Sequence, residues 1–532
     1  MMRRATIFLA ALVGLHLFAC VPQLSVDPRL ATLRLPSPDL LLALAVALLG
    51  ATAGRGRIGA HAGAVLMLVG VVYGVILEQW PVNFDAQFRF ADLPRIEGLP
   101  HLLLDHRPEW QQWTAKIAIV PALLAVHLLL AYGLRRLARA GGTRGAAAWL
   151  AIGQTAVVLG IAAAPAAIWR PFALLHLVVD TAVEVRARLA SGGDAVELDF
   201  PREAARLAAA PADLAGLDRA DVHVVFIESY GRVALRHPGL GARLRTLWPE
   251  LERELATAGF AAASGAIAPA VSGGGSSLAH AEFLTAVRIS DYGHVERLLH
   301  SGVRPLPRLF ADAGYRTVLL MPSMNTNWTQ GMSFYGFQQG LSQQELGYSG
   351  HRYHFGAMPD QFALARLLHT VIEPAPAAAP MFTFFVSVTS HLPCTDIPPY
   401  LADWAFDPAA FPPQPEHTYS TSWFDYRTNP ETPQAYGDAV AYSMRTAVGF
   451  ASQLTRPSIV IVLGDHQPPI KSLLVADDNT LDVPLHVMSN RPELLARFAA
   501  LGLTPGLDVP DGATSFESAT FAPRFLELFS RR

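Results

Sequence analysis

Two cysteines, Cys20 and Cys394, are all that this chain contains, too few for a disulfide framework. Charge is scarce as well: Asp, Glu, Lys and Arg make up 16% of the residues, against 51% for apolar types. The net charge of −3 argues against nucleic acid as a partner. No internal repeat runs through the sequence. A mean hydropathy of +0.28 is too apolar for an ordinary soluble enzyme, and the excess sits in the first third. At 532 residues the chain has room for more than one domain.

Five apolar segments lie in that first third: Ala5–Val26, Leu40–Gly54, Ile58–Leu77, Ile117–Leu134 and Ala146–Trp169, each free of Asp, Glu, Lys and Arg. A membrane span needs roughly 20 apolar residues, so the second segment is the short one. Arg3 and Arg4 precede the first, Arg55 and Arg57 separate the second from the third, and Arg135, Arg136, Arg139 and Arg144 follow the fourth. Under the positive-inside rule these stretches face the cytoplasm. The 80–113 loop carries Asp85, Asp92, Glu97, Asp105 and Glu109 and falls outside, with Trp80, Trp110, Trp113 and Trp169 at the outer interface. Five spans place everything after Trp169 outside; four would place it in the cytoplasm. His61 and His127 lie within spans, where no acidic residue accompanies them, and packing is their better reading.

The expected organisation is a transmembrane domain over 1–170, an amphipathic linker over 171–215, and an α/β domain with a mostly parallel central sheet over 216–532. Strands and helices alternate from Asp221 onward. Strands are expected at Val222–Ile227, Arg316–Met321, Met381–Val388, Ser458–Leu463 and Val483–Met488. Helices are expected near 239–258, 303–313, 360–372, 434–453, 492–500 and 517–529. The stretch 393–433, rich in Pro and aromatic residues, reads as a long active-site loop.

Three stretches carry chemistry. The apolar run Val222–Ile227 ends in Glu228, and a carboxylate at the carboxyl end of a buried strand lies where open α/β sheets bind ligands. The run Ile459–Leu463 ends in Gly464, Asp465 and His466, which offer one oxygen and one nitrogen ligand, a mix suited to zinc or manganese. Between them in sequence, Gly273, Gly274 and Gly275 lead into Ser276 and Ser277 at the start of a helix, where free N–H groups favour a phosphate. Taken singly, each stretch also reads as a turn with a helix cap. Their joint occurrence favours a site.

Strand-Glu228-Ser229-Tyr230-Gly231, the Gly-rich turn with its serine, Thr389-Ser390-His391 and Gly464-Asp465-His466 together resemble the sulfatase-like branch of the alkaline phosphatase superfamily. Five spans followed by an outer domain is a layout similar to lipoteichoic acid synthases and phosphoglycerol transferases, and more loosely to phosphoethanolamine transferases. The resemblance implies that Glu228, Ser276, Asp465 and His466 hold one divalent metal ion (Mn, Zn or Mg). It makes Ser276 the nucleophile, ahead of Ser277, because the family's nucleophile directly follows the glycines. It also makes His391 a substrate-binding residue. His280 lies four residues after Ser276, on the same helix face, and is a further candidate at the substrate, as is Trp328. Two departures bear on the reaction. Neither cysteine sits in the C-x-P-x-R pattern of ordinary sulfatases, and Gln330 stands where lipoteichoic acid synthases have the Arg of Trp-x-Arg.

The expectation is a metal-dependent phosphotransferase or phosphodiesterase. It would act on a membrane lipid or envelope glycan at the outer face of the cytoplasmic membrane, through a serine nucleophile. The alternatives are a catalytically silent relative that binds lipid or a partner, and a sulfuric ester hydrolase.

Overall fold

The computed structural model describes residues 38–84, 109–140, 205 and 207–531, with isolated positions between 13 and 22 and between 177 and 186. Within 207–531 the description omits 211, 272, 290–291, 354–357, 377–378, 422–425, 427–428, 471–472 and 474–480. The expected fifth span, and most of the first span, the 80–113 loop and the 171–190 helix, lie outside the described residues. The chain forms two compact units, 1–100 with 107–196, and 101–106 with 197–532.

In the first unit three helices are described: α1 (Pro38–Thr52), α2 (Gly56–Phe84) and α3 (Glu109–Ala140). Gly56–Leu77 and Ile117–Arg139 are long and apolar enough to cross a membrane, and Leu42–Thr52 is a shorter apolar helix. Helices α1 and α2 form a hairpin whose backbones touch. A Cβ placed on Gly59 would lie 2.7 Å from the Cα of Gly50, a contact that only small residues permit. His61 and His127 meet between α2 and α3, with Nδ1 and Nε2 3.0 Å apart and the rings stacked.

The second unit is built on nine strands: β1 (Asp221–Ile227), β2 (Ala261–Ala268), β3 (Arg316–Leu320), β4 (Gln339–Leu341), β5 (Met381–Val386), β6 (Ser458–Gly464), β7 (Val483–Ser489), β8 (Thr504–Pro505) and β9 (Ser515–Glu517). Their order is β4-β3-β5-β1-β6-β7-β2-β8, with β9 beside β2. From β4 to β6 every pairing is parallel, whereas β7 pairs antiparallel with both β6 and β2.

The central strands β1, β5 and β6 are buried throughout, as their continuous apolar runs require. Alternation along them feeds two cores. Val222, Val224, Phe226, Ile459 and Ile461 face one core with Leu278, Phe283 and Phe310. Val225, Ile227, Val460 and Val462 face the other, covered by α5 (Thr432–Gln453) through Tyr436, Val440 and Phe450. The helix carrying Ser276, α4 (Ser276–Thr285), packs on the first face.

One expected helix divides in two. Residues 239–258 form Pro238–Arg245 and Trp248–Thr257, because Pro249 can open a helix but cannot continue one. Helices Tyr292–Leu299 and Thr329–Tyr335 are additional.

Candidate active site and metal centre

Register brings the candidates together. Ile227 is paired with Gly464, and Phe226 with Val386, so the next residues on all three central strands emerge side by side. Glu228 follows β1, Asp465 and His466 follow β6, and Ser387 to His391 follow β5. Gly464 has no room for a side chain, since a Cβ there would lie 2.0 Å from the carbonyl oxygen of Tyr230. The turn after β1 can therefore lie directly on the end of β6.

That turn is strained and heavily tied down. Ser229 has φ +56°, a left-handed conformation that a non-glycine residue adopts only when its surroundings dictate it. Its N–H donates to Asp465 Oδ1 at 2.7 Å, its hydroxyl to Glu228 Oε1 at 2.9 Å, and its carbonyl accepts the Tyr436 hydroxyl at 2.7 Å. Ser390 Oγ donates to the Glu228 carbonyl at 2.6 Å, and the Glu228 N–H donates to Ser387 Oγ at 3.0 Å. Ser387 and Tyr436 carry no local sequence signal for this role, whereas Ser390 stands within Thr389-Ser390-His391.

Ser276 arrives from the side. Gly273 and Gly274 adopt φ +45° and +70°, which brings the chain round onto the first turn of α4. Ser276 does not cap the helix; it is the first helical residue, after Gly275. Its hydroxyl instead donates to Glu228 Oε2 at 3.0 Å and lies 3.0 Å from His466 Nε2. His466 Nδ1 is 2.8 Å from the Gln467 carbonyl and donates to it, leaving Nε2 with its lone pair directed at the cluster. Ser277, the next residue, is exposed.

The electrostatics mark the place as short of positive charge. Burial pushes the Asp465 carboxyl well above the usual range, and the neighbouring Glu228 charge adds to that. Burial, which raises Glu228, is outweighed by its neighbours, His391 first among them, which hold it at about 2. Asp465 Oδ2 is buried with no hydrogen-bond partner among the described residues, and so is His280 Nε2, 4.0 Å away. Glu228, Asp465 and His466 each offer a ligand atom, all within 4.8 Å of one another. Two carboxylates, an imidazole nitrogen and an adjacent hydroxyl around an unsatisfied buried oxygen fit a divalent cation.

His280 is buried edge-on to Phe226 and Phe384, and burial lowers its imidazole to about 3, so it is neutral. His391 lies beside Glu228, its Nδ1 2.8 Å from the Leu392 carbonyl. Trp328 enters the structure differently. It precedes the helix Thr329–Tyr335 beyond the end of β3, and its ring covers Gly331, where a Cβ would lie 2.0 Å from it. His351 is paired with Asp396 at 2.7 Å, and Cys394 is buried, its thiol pushed up by burial.

A family model described as Sulfatase matches residues 221–496. Among curated proteins, none matches the chain. Solved structures that resemble it include the lipoteichoic acid synthase LtaP from Listeria monocytogenes, at 15% identity and a TM-score of 0.41, covering 60% of this chain and 74% of that one. The Streptococcus pyogenes phosphoglycerol transferase GacH, in complex with sn-glycerol-1-phosphate, is 14% identical with a TM-score of 0.35, covering 61% and 77%. The C-terminal periplasmic domain of EcEptC from Escherichia coli is 12% identical with a TM-score of 0.36, covering 58% and 82%.

Proposed function

This chain belongs to the sulfatase family, and from that premise we propose that it is a membrane-anchored, metal-dependent phosphotransferase or phosphodiesterase. It acts on a phosphate-linked head group, of a membrane lipid or an envelope glycan, at the outer face of the cytoplasmic membrane. Residues 1–170 anchor it, 171–215 link, and 216–532 carry the chemistry. One observation carries the reading: the Ser276 hydroxyl lies 3.0 Å from both Glu228 Oε2 and His466 Nε2, beside the unsatisfied Asp465 Oδ2.

Glu228, Ser276, Asp465 and His466 would hold one divalent cation, manganese, zinc or magnesium. Bound there, it would lower the pKa of the serine hydroxyl and offset charge developing on the phosphoryl oxygens. Ser276 Oγ forms the bond to phosphorus while the bond from phosphorus to the leaving alcohol breaks. The hydroxyl proton is released to water as that bond forms, because Glu228, held down to about 2, is too weak a base to keep it. His391, at the end of β5, holds the substrate phosphate by a hydrogen bond. His280 is buried in the core, 4.0 Å from Asp465 Oδ2 and beyond hydrogen-bond reach of it. A hydroxyl acceptor, or water, then releases the phosphate group from Ser276. Neither a cysteine nor Ser276 or Ser277 heads a C-x-P-x-R-type pattern, which speaks against the formylglycine route to sulfate esters.

The test is to incubate the full chain, loaded with each metal in turn, with phosphodiester lipids and look for a phosphorylated peptide containing Ser276 by mass spectrometry. A head-group phosphate on Ser276 is the expected result. Metal-loaded protein that turns over a phosphodiester while Ser276 stays unmodified and replaceable would overturn the reading.

A further inference from the structure

At one end of the three helices of the first unit, the α1–α2 turn and the carboxyl end of α3 line a half-open cavity of about 490 Å³. That size falls within the roughly 300–1,000 Å³ usual for small-molecule sites. Four arginines line it. Arg55 and Arg57 come from the turn and the start of α2, and Arg135 and Arg139 from one face of α3 at helical spacing. Among the described residues that line it there is no carboxylate, and the acidic residues of the three helices, Asp39, Glu78 and Glu109, stand at the opposite ends of α1, α2 and α3.

The positive-inside rule accounts for arginines in loops, but not for guanidinium groups from two distant segments converging on one cavity. Such convergence costs repulsion unless an anion lies between the charges. Arg136 shows the alternative. It stands beside Arg135 yet turns away onto Tyr132, with Nε donating to the hydroxyl at 2.9 Å and the guanidinium 5.0 Å over the ring. Ile58, also in the lining and 67% exposed, adds an apolar rim to the cationic walls. Guanidinium groups suit phosphate oxygens, and an apolar rim within a bundle of membrane helices suits acyl chains.

We propose that this cavity binds the phosphate of an anionic phospholipid. The assignment is independent of the catalytic reading, since it concerns the other unit of the chain.

The full-length protein in phosphatidylcholine nanodiscs is titrated with phosphatidylglycerol, with cardiolipin and, separately, with inorganic phosphate, and bound ligand is counted by native mass spectrometry. Saturable binding of the two anionic lipids is expected. Arg135→Gln combined with Arg139→Gln should weaken it by roughly 30-fold, two charges' worth. The matching pair of Lys substitutions should recover most of the affinity, which separates lost charge from lost folding. Arg136→Gln removes the same charge at the same membrane depth and should leave binding unchanged. Equal losses in Arg136→Gln, or binding that never saturates, would reduce the effect to general surface charge and overturn the site. Inorganic phosphate binding as tightly as lipid would overturn the lipid assignment.

Discussion

Ser276 and Ser277 are neighbours on one helix with different surroundings, the first against Glu228 and His466 and the second exposed. Because Ser276 does not cap α4, Ser276→Ala removes one hydrogen bond and should cost only about 1 kcal/mol of stability. Turnover of a phosphodiester should fall by roughly 10⁴-fold or more, as it does when a nucleophile is deleted. Ser277→Ala should stay near wild type; a dead Ser277→Ala would move the nucleophile by one residue. Asp465→Ala should lose the bound divalent ion, measured as metal per protein, and unchanged stoichiometry would place the ion elsewhere. A titration prediction attaches to Glu282 on the same helix. Its carboxylate accepts the N–H groups of Ala270, at the end of β2, and of Ala519. Burial raises it to about 7 from an ordinary 4.5. The folded state therefore holds a proton that the unfolded chain has released. Its contribution is complete below about pH 4.5 and is lost as pH rises through about 7, an effect of order 3 kcal/mol. Unfolding midpoints between pH 4.5 and 8 should consequently fall more steeply for wild type than for Glu282→Gln, and parallel slopes would remove Glu282 as the cause.

Among the elements, the ends of β1 and β6 were legible in the sequence because each is an apolar run stopped by a side chain of a type that can ligate a metal. The Gly-rich entry to α4 was legible because three successive glycines have few uses other than a turn with positive φ. The supports were not. Ser387, Ser390 and Tyr436 hold Glu228 and Ser229 from segments far off in sequence, and pairing across such distances leaves no local pattern. The same holds for the antiparallel insertion of β7 beside β6, and for the meeting of His61 with His127. At Gly464 the end of β6 lies directly against the turn after β1. Gly464→Ala would drive a methyl group into the Tyr230 carbonyl and separate Glu228 from Asp465. It should cost about 1–3 kcal/mol in thermal stability and weaken metal binding measurably by calorimetry. Wild-type metal affinity in that variant would mean that the two strand ends need not touch.

For the whole molecule, the charge asymmetry of the first third fixes an expectation that the described helices bear on only in part. Two helices are long enough to span and a third is short. If the five-span reading holds, a periplasm-dependent reporter fused after Arg532 should be active, and a reporter active only in the cytoplasm would remove one span. The topology of the second unit has a further consequence. The tie from Ser229 to Asp465 joins residues 236 positions apart, and the tie from Glu228 to Ser387 spans 159. Contacts of such long range form late, because loop closure must be met before they contribute. The chain that emerges first carries Glu228 and Ser276 with neither Asp465 nor His466 beside them. On the proposed function, the site is complete only once β6 lies next to β1, so the order of the strands sets when reactivity can arise.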